Sequence, residues 1–128
     1  MYSVLFVDDE IFALSFLKSK LNDVDFKSYF ASSGEQALSI LESENNIQIL
    51  VTDLNMDKMD GFELLKRVRE LYPHIFRVVL SAHKGPFMIK QAIEDGDIHE
   101  FLPKPADIKT HLIPILDSLL RSIDKKEV

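Results

Sequence analysis

The chain has 128 residues and no cysteine, and its 15 Lys+Arg against 21 Asp+Glu give a formal net charge of −6 at pH 7. That length suits one domain with a real core; the missing cysteine excludes disulfides, thiolate metal sites and a cysteine nucleophile, and an acidic chain without a basic cluster argues against direct nucleic-acid binding. No apolar stretch approaches the ~18 residues of a membrane span, and Met1-Tyr2-Ser3-Val4 enters the first apolar run without the basic region of a signal peptide, so a cytoplasmic location with no membrane partner is expected.

Strand and helix patterns alternate five times. Residues 3–7 read as a strand, followed by a helical stripe over 11–21 with Ile11, Leu14, Leu17 and Leu21 inward. Residues 26–31 read as the second strand. Ser33-Gly34-Glu35-Gln36 has the form of a capping box opening a helix that carries Ala37, Leu38 and Leu41. Residues 47–52 are the third strand, and a loop from Asp53 to Gly61 leads to a helix over about 62–71 with Leu64, Leu65, Val68 and Leu71, closed by Pro73. Residues 76–80 are the fourth strand. Pro86 suits the first turn of the next helix, which ends near Gly96. Residues 99–102 are the fifth strand, and Pro103 requires that this strand be an edge or an ending one. The last helix starts at Asp107 as N-cap and runs to about 123 with Ile108, Leu112, Ile115, Leu119 and Ile123 inward; Pro114 should kink it or delay its regular part. Short β-branched or aromatic runs that are too apolar to alternate are strands buried on both faces. The expected architecture is therefore α/β: a doubly wound parallel sheet with helices on both sides, in one domain spanning 1–128. Residues 121–128 could begin a linker helix.

Polar residues sit at the ends of these runs. Val4-Leu5-Phe6-Val7 leads into Asp8-Asp9-Glu10, Ile49-Leu50-Val51-Thr52 into Asp53, Val78-Val79-Leu80 into Ser81, and Phe101-Leu102-Pro103 into Lys104. In an open parallel sheet the C-terminal strand ends share one edge, and ligands bind just outside it. Three carboxylates converging there repel one another unless a hard cation with oxygen ligands joins them, and Mg²⁺ is the ion suited to phosphoryl chemistry. Asp53, at the centre of the edge, can attack phosphorus and form an acyl phosphate. Lys104, held between Pro103 and Pro105, can supply positive charge, and Ser81 can hydrogen-bond a phosphoryl oxygen. A solvated acidic turn, a turn cap or a surface lysine would explain any one of these residues alone; their joint placement is what points to a site.

Leu5-Phe6-Val7-Asp8-Asp9-Glu10, Val51-Thr52-Asp53-Leu54-Asn55-Met56 with Met59-Asp60-Gly61, Leu80-Ser81-Ala82 and Lys104-Pro105 closely resemble the receiver domain of bacterial two-component response regulators, in order and spacing, over essentially the whole chain. The resemblance implies a flavodoxin-like fold of five parallel strands in order 2-1-3-4-5 with five flanking helices. It implies Asp53 as phospho-acceptor, with the phosphoryl group coming from a phosphohistidine of a sensor histidine kinase or phosphotransfer protein. Asp9, Asp53 and the backbone carbonyl of Asn55 would bind Mg²⁺, and Asp8 would hold it through water. Lys104 would pair with Asp53 and then with the phosphoryl group. Ser81 and Phe101 would form the switch, a population shift of the 81–101 face. Lys104-Pro105 is often cis in this family.

The chain departs from the pattern at Asp57, where the family usually has Pro, and at Phe101, where Tyr is common. The first departure removes a rigid turn and adds an acid near the site. In this family the positions of Asn55 and His83 flank the path of the attacking water, and His83 is a candidate to titrate near neutrality. Output in this family is read on the face spanning about 86–123, by a target, a covalently linked output domain or dimerisation. Here that face carries Phe87, Met88 and Ile89, one more apolar residue than a single buried stripe needs. The run from Ala92 to Pro105 resembles receivers joined to cyclic-di-GMP phosphodiesterase-type or similar outputs more than those joined to winged-helix domains. Such a domain turns over no external substrate, so no enzyme activity is expected. Two other classes share such residues: a degenerate, phosphate-independent interaction module, and an aspartyl-phosphate phosphatase of the haloacid-dehalogenase type. The latter needs an acidic residue where this chain has Asn55.

Overall fold

Residues Ser3–Val7 (β1), Ile47–Thr52 (β3) and Phe76–Ser81 (β4) are buried along nearly their whole length, as runs with no polar face must be. In the computed structural model, which describes residues 2–82 and 85–126, they form the centre of a five-stranded sheet. Lys27–Ala31 (β2) and Glu100–Pro103 (β5) are the more exposed edges. All neighbours pair in parallel, in the order β2-β1-β3-β4-β5. This is the doubly wound, flavodoxin-like sheet expected, and Pro103 closes an edge strand. His83 falls outside the described residues, as does the far end of the 121–128 segment.

Side chains alternate across the sheet and build two cores. Leu5, Val7, Leu50 and Val79 face helices Gly34–Ser43 (α2), Gly61–Leu71 (α3) and Pro86–Glu94 (α4). Val4, Phe6, Ile49, Val51, Val78 and Leu80 face Ile11–Lys20 (α1) and the C-terminal helix Ile113–Lys126 (α5). The Ser33 hydroxyl caps α2 by accepting the Gln36 N–H at 3.0 Å. The return bond differs from the expected box: Gln36 Oε1 accepts from the N–H of Ser32, one residue before the cap, at 2.7 Å.

Three helical stripes differ from expectation. Ile11 is 72 % exposed because α1 turns Leu14 and Leu17 to the sheet, leaving Phe12 and Phe16 exposed as well. Leu71, the last residue of α3, is 63 % exposed. In the last helix Leu112, Leu116 and Leu120 point inward, while Ile115 is only half-buried. The cause is a wide π turn over Ile108–Leu112, in which the Leu112 and Ile113 N–H groups reach back five residues to Asp107 and Ile108. That turn precedes Pro114, which has no N–H and would crowd a tight preceding turn. The regular helix is thus delayed, and the extra residue rotates the inward face. The segment from Arg121 to Lys126 simply continues α5.

At the opposite end of the sheet from the acids, the buried Arg77 binds the backbone carbonyls of Ile75, Gly96 and Asp97 at 2.8–3.1 Å. The Arg77 N–H donates to Nδ1 of His99 at 2.9 Å. Desolvation, then the Arg77 charge, hold the His99 pKa below its ordinary value, which keeps Nδ1 available as an acceptor. Arg69 closes this corner through an ion pair with the buried Asp97 at 3.0 Å. Together these bonds fix the α4–β5 turn.

Two glycines set how closely α2 and α3 approach the β3 end. A Cβ at Gly61 would sit 2.3 Å from the Asp53 carbonyl oxygen and 2.6 Å from Leu54 Cα, both backbone atoms. At Gly34 the nearest atom would be the Met59 sulfur at 2.7 Å, the movable part of a flexible side chain. Gly61→Ala is therefore expected to lose about 2–3 kcal/mol in urea unfolding. Gly34→Ala should lose about 1 kcal/mol or less, because Met59 can shift and Ala favours the helix.

Candidate functional site

The backbone of the site is an extension of the sheet. The Asp8 N–H donates to the Ala31 carbonyl at 3.1 Å, Asp53 to Val7 at 3.0 Å, and Lys104 to Ser81 at 3.0 Å. Each ladder therefore runs one residue beyond its strand, and Asp8, Asp53 and Lys104 are fixed at one edge by the same bonds that hold the fold. The Lys104–Pro105 peptide is cis, as the resemblance implied.

The side chains converge on the Lys104 ammonium. Its Nζ lies 2.7 Å from Asp8 Oδ2 and 3.6 Å from Asp53 Oδ2. Asp8 is nearly fully buried, and its other oxygen accepts the Glu10 N–H at 3.0 Å. Asp53 Oδ1 accepts the N–H groups of Leu54 at 2.7 Å and Asn55 at 3.3 Å. Ser81 is fully buried beside it, and its Oγ accepts the Leu54 N–H at 3.5 Å, the outer limit of such a bond. Burial draws the Lys104 pKa down. The hydrogen bond and charge of Asp8, followed by the charges of Asp53 and Glu10, outweigh burial and raise it above 10.5. A base with a raised pKa contributes its stability below the unfolded value and loses it only as pH climbs through the folded one, so the ion pair is intact throughout the neutral range.

The structure thus brings Asp8, Asp53, Ser81 and Lys104 together. Asp9 is not gathered with them: its Oδ2 accepts the Asp57 N–H from the β3–α3 loop at 3.0 Å, and its other oxygen carries no hydrogen bond among the described residues. Among the described residues no three His, Cys, Asp or Glu side chains are gathered closely enough to hold a metal ion. The expected carboxylate trio is here a pair bridged by an ammonium, with the third acid tethered alongside. Phe101 is half-buried against the α2–α4 core. Of the apolar triplet, Ile89 is core, while Phe87 and Met88 are 86 % and 55 % exposed.

Sequence reasoning missed two features. Gly61 was read only as the end of a loop, although its missing side chain is what lets α3 pass against the Asp53 backbone. A groove of about 600 Å³ also opens beside the site, lined by Phe12, Phe16, Leu17, Leu80 and Pro105 with Asp8, Glu10 and Lys104 at one end. The surplus of aromatics on a short first helix was its only trace in the sequence.

Removing Lys104 leaves Asp8 charged, buried and without its counter-ion. Lys104→Met should cost about 3 kcal/mol at pH 7 in chemical unfolding, and adding Asp8→Asn to it should restore most of the loss.

Comparison with known proteins agrees with this geometry. The family model described as response regulator receiver domain matches residues 4–115. Over 104 residues the chain is 35 % identical to the two-component response regulator ORR3 of Oryza sativa subsp. indica, covering 80 % of this chain and 79 % of that one. It is 31 % identical over 117 residues to the transcriptional regulatory protein GlrR of Escherichia coli K12, which spans 91 % of this chain but only 26 % of the longer regulator. Among solved structures, the signal receiver domain of an HD domain-containing protein from Pseudomonas fluorescens Pf-5 superposes with a TM-score of 0.87 at 29 % identity, covering 94 % of this chain and 95 % of that one. The chemotaxis protein CheY4 of Vibrio cholerae gives 0.82 at 27 % identity, covering 93 % and 98 %. No described helix is long and apolar enough to cross a membrane. The chain belongs to the response regulator receiver family, the receiving module of two-component signal transduction.

Proposed function

We propose that this chain is a single receiver domain, working in the cytoplasm, that takes a phosphoryl group on Asp53 from a phosphohistidine of a sensor kinase or phosphotransfer protein, with Mg²⁺ required. The observation that carries this reading is the Lys104 ammonium held between Asp8 and Asp53 at the sheet edge. It marks the spot as attractive to cations, and the surrounding donors are anionic oxygens, the set a hard divalent ion prefers. Asp8, Asp9, Asp53 and the Asn55 carbonyl would hold that ion, which when bound neutralises charge on the phosphoryl oxygens.

The residues of the chain do the rest. Two backbone N–H groups engage Asp53 Oδ1, leaving Oδ2, which lies 3.6 Å from the Lys104 ammonium, as the nucleophilic oxygen. Attack by Oδ2 forms the O–P bond as the donor's N–P bond breaks, and the electron pair leaves on the imidazole nitrogen. Lys104 then moves its ion pair from Asp53 to the phosphoryl group, and Ser81 rotates to donate its hydroxyl to a phosphoryl oxygen. Phe101 follows inward behind Ser81, shifting the population of the 86–123 face that meets a target, an output domain or a second copy. The domain modifies itself and turns over no external substrate.

Intact mass after incubation with Mg²⁺ and a small-molecule phosphodonor should rise by one phosphoryl group. Asp53→Ala, or omission of Mg²⁺, should abolish the gain; a gain that survives in Asp53→Ala would place the acceptor elsewhere.

The groove beside α1 suits the apolar face of the donor's helix, because it opens directly onto Lys104 and Asp8 and is bordered by exposed Phe12 and Phe16. Replacing both phenylalanines with Asp should slow transfer from a phosphohistidine protein at least tenfold, with a far smaller loss for a small-molecule donor.

A further inference from the structure

The loop from Asp53 to Gly61 is pinned at both ends. The Asp53 N–H binds Val7, the Gly61 N–H binds the Leu54 carbonyl at 3.0 Å, and Met59 is buried against Gly34. Between these anchors one backbone group reaches across to the β1–α1 loop: the Asp57 N–H, 3.0 Å from Asp9 Oδ2. Lys58, the next residue, has φ 62°. The position before such a residue in a turn is one that proline suits, and proline has no N–H to give. Asp57 thus adds a donor that the family's usual residue at this position lacks. Its own carboxylate is exposed, so its one bond to the site is through the backbone.

We propose that the Asp57 N–H is a positioning group for Asp9, fixing Oδ2 so that Oδ1 is the oxygen offered to a divalent cation, and that it ties the 53–61 loop to occupancy of that cation site. The proposal rests on the reading of the site as Mg²⁺-binding. A carboxylate has about four lone-pair directions, so one N–H bond leaves room for a ligand bond. Among the described residues Oδ1 accepts no hydrogen bond. Bonds from N–H to a carboxylate are the strong kind and restrict its rotamers, which is how outer hydrogen bonds orient metal ligands. The exposed carboxylate of Asp57 also favours a cation, as loose negative charge beside the site, so the two contributions must be separated by choice of variant.

Mg²⁺ binding to the unphosphorylated protein, followed by isothermal titration calorimetry, separates them. Asp57→Ala removes only the charge, whereas Asp57→Pro also removes the N–H. Asp57→Pro is expected to bind about tenfold more weakly than Asp57→Ala. In the unaltered protein the Asp57 amide resonance should move with the same midpoint as the calorimetric titration, and this holds even if the proline variant folds poorly. Equal or tighter binding by Asp57→Pro, or an amide that stays still while the site fills, overturns the positioning role and leaves the Mg²⁺ reading standing. Absence of Mg²⁺ binding in the unaltered protein overturns both.

Discussion

One ion pair holds the chemistry of this molecule in place: Lys104 against the buried Asp8, with Asp53 at its other side. A carboxylate as buried as Asp8 costs several kcal/mol unless a cation and hydrogen bonds satisfy it. Lys104 and the Glu10 N–H supply both. The lysine comes from the edge strand, 96 residues away in the chain from Asp8, so the ion pair spans the sheet from β1 to the end of β5. A move of the ammonium toward a new anion on Asp53 therefore weakens a bond that helps hold the edge strand's end.

Parallel pairing is what makes the convergence possible. Because every strand runs the same way, each polar residue just past an apolar run lands at the same edge, and one further ladder bond fixes its backbone. The other edge is closed by different means. Arg77 gathers the carbonyls around the α4–β5 turn, and His99 stays neutral enough to accept a β4 amide. That corner is held by several bonds of 2.8–3.1 Å, whereas the Ser81 contact with Leu54 is 3.5 Å. Ser81, the proposed switch residue, and the bonds that anchor α4 thus lie at opposite ends of β4.

Apart from Leu71 on α3, the exposed large apolar residues among those described lie on two helices. Ile11, Phe12 and Phe16 lie on α1, where the two phenylalanines line the groove shared with Asp8 and Lys104, and Phe87, Met88 and Ile93 lie on α4. Charged or polar residues would be the default at such positions in a lone domain, so both patches are consistent with contact surfaces. The α1 patch lines a groove shared with Asp8 and Lys104, and the α4 patch lies on a different helix. Under the proposed function, donor and output partners would therefore meet separate surfaces.

The sequence by itself determined the strands, the burial of the three central ones and the identity of the four residues at the edge, because runs such as Ile49-Leu50-Val51 suit only a strand covered on both faces. The Phe101-Leu102-Pro103 run, read as buried on both faces, is instead a part-exposed edge, because among the described residues no further strand covers that side. The sequence also determined that Pro103 ends an edge strand and that the Phe87-Met88-Ile89 triplet exceeds what one stripe can bury, whereas which of the three is core, Ile89, came from the structure. Only the tertiary structure decided the helix phases, since Ile11, Leu71 and Ile115 satisfy a periodic pattern whose position relative to the sheet is set by packing and, in the last helix, by the π turn ahead of Pro114. Only it decided that Asp9 bonds to the Asp57 amide rather than joining Asp8 and Asp53, because a backbone donor leaves no mark in a residue's side-chain type. The need for glycine at 61 was likewise hidden, since a missing Cβ acquires meaning only when the Asp53 carbonyl lies 2.3 Å from where it would be.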